Sequence, residues 1–266
     1  MVIRQGTRSP GAVRWQAESV TTPDRVLPAR VYLPGAETLG WIVWAHGGSW
    51  RGGTLDGWHQ ACARLARASA WAVVSIAYRL APLHPHPEPV RDVLAALDWA
   101  GQRAVGPHGP LPLAVGGDSA GGTIAACAAL ARRDLGRPLA AQVLAYPPLD
   151  PACAAPSYRS GDFPDPRILR AAWDEHRGRG GTARALGTTL YSTPLEAPTL
   201  AGLAPALLAV GEYDPVVDDV RDYARRLREA GNYVELHELP LLRHGAFVST
   251  EALGDRLGAA LHRRSQ

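Results

Sequence analysis

Short, nearly continuous apolar runs recur along the chain, and segments with a helical spacing of apolar residues separate most of them. Such runs predict strands buried on both faces, and helices between them predict parallel pairing. The pattern therefore predicts one α/β domain over residues 1–266, with a mostly parallel central sheet of about eight strands and helices on both faces. The predicted strands are 15–20, 29–33, 41–45, 71–77, 113–116, 141–146, 206–211 and 233–238, and the predicted helices are 57–69, 89–104, 120–132, 216–230 and a last one from about 247.

The alternation of strands and helices stops in the stretch 150–203. This stretch contains several prolines, a glycine-rich loop at 178–181 and one helix-like piece at 167–177. A long irregular connection is uncommon in a compact domain unless it is functional or disordered. We expect it to form a small lid inserted in the domain, above the carboxyl ends of the strands. The alternative is a helix packed on the surface, in which Trp173 covers the core.

A Gly-x-Ser-x-Gly sequence lies at residues 117–121, between a predicted strand and a predicted helix. In that context the pattern is typical of a nucleophile elbow, whose strained turn exposes the serine hydroxyl. The N-terminus of the following helix favours developing negative charge. An ordinary glycine-rich turn is the alternative for so short a pattern. Ser119 is the candidate nucleophile.

A glycine-rich segment at residues 46–50 follows the predicted strand 41–45. Such a turn frees backbone N–H groups from the sheet and aims them at one point, as a tetrahedral oxyanion requires. Glycine pairs also mark plain turns. We expect an oxyanion hole formed by the N–H groups of Gly48, Ser49 and Ala120.

Two further expectations concern the surroundings of the candidate nucleophile. If the register of the glycine-rich loop differs, the N–H of Gly47 replaces that of Ser49. The candidate substrate-binding side chains are Trp50, at the end of this loop, and Trp173 and Tyr191, which are large apolar groups of the predicted lid.

Two residues that follow later strands complete a candidate catalytic set. Asp214 follows the predicted strand 206–211, and His244 lies in the loop after the strand 233–238. Either residue alone has an ordinary explanation, because Asp-Pro is a common turn or helix cap and histidines are common on surfaces. The order Ser, Asp, His at the ends of strands favours a triad in which His244 is the base and Asp214 orients it.

These segments together resemble the hormone-sensitive-lipase-like branch of the α/β-hydrolases, over roughly residues 25 to 260. The resemblance implies the α/β-hydrolase fold and a serine carboxylesterase that cleaves short-chain acyl esters through an acyl-serine intermediate. The segments that carry it are HGGSW (46–50), YRLAPLHPHPEP (78–89), GGDSAGG (116–122), GEYDPVVDD (211–219) and RHGAF (243–247).

The chain departs from the family pattern at two positions. Ser49 stands where the family usually has a third glycine, and His86 stands where it usually has Phe. Because of Ser49 and the short segment before the first motif, an arylformamidase, a lactonase or a tailoring hydrolase of a biosynthetic pathway on the same triad remains an alternative. A non-catalytic receptor on this scaffold is favoured less, because His244 is present.

Composition limits the partners that we expect. The net charge is +3, all 28 basic residues are arginine, and none of them form a cluster interleaved with aromatic residues, so we expect no nucleic-acid partner. No apolar run approaches membrane-spanning length, and residues 1–17 lack the apolar core of a signal peptide, so we expect a cytoplasmic bacterial protein. The three cysteines lack metal-like spacing, and no cofactor motif is present, so we expect neither metal nor cofactor. The expected partner is a small-molecule ester, and a homodimer is left open.

Overall fold

The computed structural model describes residues 11–22, 24–160 and 162–265. Within these ranges no helix is long and apolar enough to cross a membrane. The strands are β1 Gly11–Thr21, β2 Val26–Gly35, β3 Trp41–Ala45, β4 Ala72–Ile76, β5 Val105–Gly106, β6 Gly109–Pro110, β7 Leu113–Asp118, β8 Ala141–Ala145, β9 Thr182–Ala185, β10 Thr188–Tyr191, β11 Ala206–Gly211 and β12 Val234–Leu239. The α-helices are α1 His59–Ser69, α2 Glu88–Arg103, α3 Ala120–Asp134, α4 Pro166–Arg177, α5 Val217–Glu229, α6 Ala246–Ser249 and α7 Ala252–Arg263.

The main sheet has eight strands in the order β1-β2-β4-β3-β7-β8-β11-β12. β1 pairs with β2 and β2 with β4 in antiparallel fashion, and every other neighbouring pair is parallel. Helices cover the central strands, so β4, β8 and β11 are buried along their whole length. This burial is the physical reason for the unbroken apolar runs in the sequence. The carboxyl ends of β3, β7, β11 and β12 meet at one edge of the sheet, and the loops that follow them share that edge.

Two glycines allow the turn after β7 to lie against β3. A Cβ atom on Gly121 would lie 2.0 Å from the carbonyl oxygen of Ala45, and one on Gly117 would lie 2.4 Å from the carbonyl carbon of Gly121. Neither distance is compatible with any side chain. The first turn of α3 therefore contacts the end of β3 directly through backbone atoms, which brings the loop after β3 next to the turn after β7.

The stretch 150–203 contains more regular structure than its sequence predicts. It consists of two short 3₁₀ helices, Pro156–Ser160 and Pro194–Glu196, the helix α4 and the hairpin β9–β10. The four-residue strands of this hairpin were not predicted, because β9 is half exposed and neither strand carries a long apolar run. The helix α4 begins after Asp165, whose carboxylate accepts hydrogen bonds from the N–H groups of Arg167 and Ile168.

The three cysteines are free thiols in the interior. Cys62, Cys127 and Cys153 are all buried. Burial raises the pKa of Cys62 and of Cys153 to about 12 and raises the pKa of Cys127 well above its usual range. A thiol that stays protonated is a poor nucleophile and a poor metal ligand. These residues therefore act as small core side chains.

The contact between Gly121 and β3 predicts a strong effect of a single methyl group. Gly121→Ala should lower the free energy of unfolding by about 3 kcal/mol or more, because backbone atoms cannot move aside as a side chain does. The matched control is Gly101→Ala in α2, where a Cβ atom makes only an ordinary contact, 3.6 Å from Leu113 Cδ2. That variant should gain about 0.5–1 kcal/mol, as alanine does over glycine within a helix. Urea unfolding measures both, and equal stability of the two variants would contradict the backbone contact.

Candidate active site

The structure brings Ser119, Asp214 and His244 together at the carboxyl edge of the sheet. Ser119 Oγ lies 2.8 Å from His244 Nε2, and His244 Nδ1 lies 2.9 Å from both carboxylate oxygens of Asp214. The carboxylate is fully buried, and the imidazole side chain is 6% exposed. These distances are those of hydrogen bonds, and they link serine, histidine and carboxylate in the order of a catalytic triad.

The arrangement determines which nitrogen of His244 carries the proton. A buried carboxylate can only accept, so Asp214 pairs with a protonated Nδ1 and leaves Nε2 as the acceptor for the serine hydroxyl. Asp214 is itself held in place, because its Oδ1 accepts a hydrogen bond of 3.0 Å from the N–H of Val216. His244 can therefore remove the proton of Ser119 without a change of tautomer.

The backbone at Ser119 has the conformation of a strained turn. Its φ of 50° and ψ of −125° lie in a region that residues other than glycine rarely adopt. The N–H of Ser119 donates to the carbonyl of Ala145 at 2.9 Å, which fixes the turn to β8. Strain of this kind persists only where the surrounding structure over-determines it, and it is concentrated at functional sites.

Three amide groups around Ser119 are available to an oxyanion. In the described part of the chain, the N–H groups of Gly48 and Ser49 make no hydrogen bond. Ala120 is the first residue of α3, so its N–H is one of the donors that a helix leaves unpaired at its start. The N–H of Gly47 is engaged, because it donates to Asp118 Oδ1 at 3.2 Å. The geometry therefore supports Gly48, Ser49 and Ala120 as donors and argues against the alternative with Gly47.

Positive φ angles shape the loop after β3, which we call the oxyanion loop (residues 46–53). Gly48, Ser49 and Trp50 have φ angles of 118°, 53° and 59°. The carbonyl of Gly48 accepts from the N–H groups of Arg51 and Gly52, both at 3.0 Å, and closes a tight turn. Gly48 needs to be glycine, because a Cβ there would lie 2.4 Å from the carbonyl oxygen of Gly52, and Gly53, with a φ of 104°, needs to be glycine because its Cβ would lie 2.2 Å from His46 Nδ1. Ser49 is free of such a clash but adopts a conformation that costs energy for any residue except glycine.

Asp118, beside the nucleophile, holds the oxyanion loop in place. Its Oδ1 accepts three hydrogen bonds, from Trp44 Nε1 at 3.1 Å, from Trp58 Nε1 at 2.7 Å and from the N–H of Gly47. Burial raises the pKa of this carboxyl to about 7, although the three donors and the nearby His244 favour the charged form. The contacts of Asp118 thus join three separate segments of the chain.

His46, the first residue of the oxyanion loop, stabilises the loop through its own contacts. Its Nδ1 lies 2.7 Å from the carbonyl of Gly47, and its ring stacks on Tyr78 with 4.4 Å between the centroids. The Tyr78 hydroxyl donates to the carbonyl of His46 at 2.7 Å. Burial lowers the pKa of His46, so the ring is neutral near pH 7. These contacts are those of a residue that positions the loop.

Two aromatic rings flank His244, and sequence reasoning identified neither. The buried Tyr146 lies 4.8 Å from the imidazole centroid, and its hydroxyl accepts from the N–H of Phe247 at 2.9 Å. Phe163, in the stretch 150–203, lies 5.8 Å from the imidazole on an exposed side. The position of Tyr146 directly after β8, at the carboxyl edge of the sheet, was a usable signal. No comparable signal marks Phe163.

The structure buries Trp50, Trp173 and Tyr191, the side chains that we predicted to bind substrate. Trp50 and Trp173 are fully buried, and Tyr191 is 8% exposed. Trp50 packs on Trp173 at 4.3 Å and stacks on His176 at 4.7 Å with an interplanar angle of 12°. One face of α4 turns toward the domain, so Trp173 and His176 pack on Trp50 of the oxyanion loop, whereas Ile168 on another face is exposed. The alternative interpretation of Trp173, as a side chain that covers the core, is the one that fits.

The same contact region contains buried polar atoms without partners. The two ring nitrogens of His176, the indole nitrogens of Trp50 and Trp173 and the Nδ1 of His86 make no hydrogen bond in the described structure. Burial, and after it the neighbouring His86, lower the pKa of His176 to about 3. Burial also lowers the pKa of His86. Both histidines are therefore neutral, and the oxyanion loop and α4 meet through a mixed aromatic and polar interface.

Comparison with known proteins gives a consistent picture. The sequence matches the α/β-hydrolase fold family over residues 42–248, a range that includes the whole candidate site. Carboxylesterase NlhH of Mycobacterium tuberculosis is 41% identical over 256 residues, which cover 89% of this chain and 79% of that protein. An ethyl acetate hydrolase of Pseudomonas putida is 33% identical, and the match covers 85% of this chain and 73% of that protein. Among solved structures, esterase LipW of Mycobacterium marinum superposes with a TM-score of 0.82 at 33% identity, covering 95% of this chain and 82% of that one.

The three hydrogen bonds of Asp118 predict that an acceptor at this position is needed for reactivity. Asp118→Ala leaves two indole N–H groups and one amide without partners, at about 1–3 kcal/mol each, and releases Gly47. We expect a fluorophosphonate probe to label Ser119 about 10²-fold more slowly, the effect of a displaced oxyanion donor. Asp118→Asn keeps a carbonyl oxygen in the place of Oδ1 and should label within about tenfold of the unchanged protein. Equal labelling of the Ala variant would contradict this role.

The burial of His176 predicts that stability falls in acid. Its folded pKa of about 3 lies below the unfolded value of about 6.5, so its contribution is complete above pH 6.5 and is lost as the pH falls toward 3. Relative to His176→Phe, the unchanged protein should lose about 2 kcal/mol of unfolding free energy between pH 7.5 and pH 5. The control is His84→Phe, at an exposed histidine. Urea unfolding at both pH values checks this, and the prediction fails if the His176 and His84 variants show the same pH dependence.

Proposed function

Because the chain belongs to the α/β-hydrolase fold family, in its hormone-sensitive-lipase-like branch, we propose that it is a serine carboxylesterase acting on short-chain esters of small molecules. The observation that carries this proposal is the hydrogen-bonded chain of Ser119 Oγ, His244 and Asp214, with unengaged amides beside the serine. Relatives named as esterases over most of the chain support the same reaction class.

The proposed reaction begins with attack of Ser119 Oγ on the ester carbonyl carbon. His244 Nε2 removes the hydroxyl proton, and the buried Asp214 stabilises the imidazolium that forms. The carbonyl oxygen becomes an oxyanion, which receives hydrogen bonds from the N–H groups of Gly48, Ser49 and Ala120. When the C–O bond to the leaving group breaks, His244 transfers its proton to the departing alkoxide, and the acyl group remains on the serine.

Water completes the cycle by the same route in reverse. His244 removes a proton from a water molecule, whose oxygen attacks the acyl carbon. The second oxyanion collapses, Ser119 takes back its proton from His244, and the carboxylic acid leaves. The reactants of the whole cycle are the ester and one water molecule.

The stretch 150–203 supports a preference for short acyl chains. We propose that it is a lid over the site, inserted in a single domain. Its large aromatic residues Trp173 and Tyr191 are buried within the protein, and its large apolar side chains that are exposed are Phe163, Ile168 and Leu186 among the described residues. A long acyl chain gains about 0.8 kcal/mol for each methylene that it buries, and so scattered a surface offers few such contacts. We therefore infer a preference for acyl groups of about two to eight carbons.

The proposed setting is the reducing cytoplasm of a bacterial cell. Its support is the presence of three buried free thiols, which are typical of proteins from such compartments. The proposed partner is a small-molecule ester. Light scattering of the purified protein distinguishes a monomer from the homodimer that the sequence left open.

Substitution of the triad tests the proposed function directly. Ser119→Ala should abolish hydrolysis of 4-nitrophenyl butyrate, because the attacking hydroxyl is removed. Asp214→Asn should lower kcat by up to about 10⁴-fold, because the amide favours the wrong tautomer of the imidazole. Ser19→Ala, at an exposed serine of β1, is the matched control and should keep full activity. An active Ser119→Ala enzyme would overturn the triad assignment. Faster hydrolysis of palmitate esters than of butyrate esters would overturn the chain-length preference.

A further inference from the structure

One large apolar side chain lies on the candidate catalytic histidine and remains open to solvent. Phe163 is 69% exposed, and its ring meets that of His244 edge to face, at 5.8 Å and an interplanar angle of 64°. The other phenylalanine of the chain, Phe247, is fully buried. A single exposed apolar residue needs no explanation by itself. Its contact with the base of the triad gives this one a functional meaning.

A second contact joins the segment of Phe163 to that of His244. Asp162 forms an ion pair with Arg243, the residue before His244 in the loop 240–245, which we call the histidine loop. Two consecutive residues of the stretch 150–203 therefore contact two consecutive residues of this loop. The side chains of this ion pair are 30% and 63% exposed, and such pairs contribute little to folding stability. The pair is nevertheless a second contact between the same two segments, next to that of Phe163 with His244.

The chemistry of the triad determines which part of an ester lies beside this ring. The carbonyl oxygen must point toward the amides of Gly48, Ser49 and Ala120. The leaving oxygen must lie near His244 Nε2, since that nitrogen gives it a proton. Tyr146 fills one side of the imidazole from within the core, and Phe163 covers another side toward solvent. Of these two rings only Phe163 is exposed, so it is the one available to the alcohol portion of an ester.

We propose that Phe163 is a specificity-determining residue for the alcohol portion of the substrate and favours esters of aryl and arylalkyl alcohols over those of small alkyl alcohols. The inference rests on the proposed esterase function and adds the substrate class to it. An aromatic ring gains attraction from a neighbouring ring beyond its apolar area, in offset or edge-to-face contact. The exposed edge and face of Phe163 are available for such a contact, and a methyl or ethyl group is too small to use them.

The test compares two esters that share one acyl group. Benzyl acetate and ethyl acetate form the same acetyl-enzyme, so their kcat/KM values differ only through the alcohol. Phe163→Ala should lower the benzyl-to-ethyl ratio of kcat/KM by about threefold to tenfold, the range of an aromatic pair. Phe163→Tyr keeps a ring and should retain the ratio. The matched control is Ile168→Ala, at another exposed apolar residue of the same stretch, which should leave the ratio unchanged.

The deacylation rate separates recognition of the alcohol from support of the histidine. The alcohol has already left when water attacks the acetyl-enzyme, so Phe163→Ala should leave the steady phase after a 4-nitrophenyl acetate burst unchanged. If that phase slows as much as acylation does, Phe163 positions His244 and the specificity proposal is overturned. An unchanged benzyl-to-ethyl ratio overturns it as well. If the unchanged protein hydrolyses none of these esters, the proposed function itself fails. Melting curves of the variants check that the fold is intact, as the exposure of the side chain leads us to expect.

Discussion

The backbone contact between the nucleophile turn and the end of β3 is the constraint on which the rest of the site depends. A Cβ on Gly121 would lie 2.0 Å from the carbonyl oxygen of Ala45, so the two segments can approach only at a glycine. Because the two segments lie this close, the carboxylate of Asp118 accepts a hydrogen bond from the N–H of Gly47 and determines where the oxyanion loop turns. The candidate nucleophile and the candidate oxyanion donors are therefore joined by direct backbone and side-chain contacts. Rigid donors stabilise a developing charge without having to reorganise, which is the largest effect available to such a site.

The nucleophile turn and the oxyanion loop are built against the usual preferences of a protein interior. Ser49, Trp50 and Ser119 have positive φ angles, and such residues cost about 1–3 kcal/mol each where strain is local. Asp118 adds a buried carboxyl, whose pKa rises to about 7 because water is excluded. The strands and helices around the site compensate with a continuous apolar core. Local conformations that folding alone would not select are thus retained where the chemistry needs them.

The stretch 150–203 contributes buried apolar residues to the same core, and it also makes a contact of another kind with the oxyanion loop. Trp50 and His176 stack closely, yet their buried nitrogens have no partner in the described structure. A buried polar group without a hydrogen bond costs about 1–3 kcal/mol, so these nitrogens lower the stability of this interface. Phe163 and Asp162 lie on the histidine loop from the same stretch. The sheet therefore carries the candidate triad, and in our proposal the stretch 150–203 carries side chains that meet the substrate, a common division between scaffold and loops.

The sequence by itself determined the sheet and the place of the reacting groups on it. Apolar runs specify buried parallel strands, and the carboxyl ends of such strands share one edge, so residues that follow them, such as Ser119 and His244, are predicted to lie together. Tertiary structure alone decided which side chains meet across the chain. The partners of Asp118 lie on other elements, and the large residues of α4 have the same helical spacing whether they face a pocket or the core. For Phe163, only the fold of an irregular stretch brings the ring onto the imidazole. Pairings of this kind depend on distances between residues far apart in the chain, and those distances are set by packing, not by local pattern.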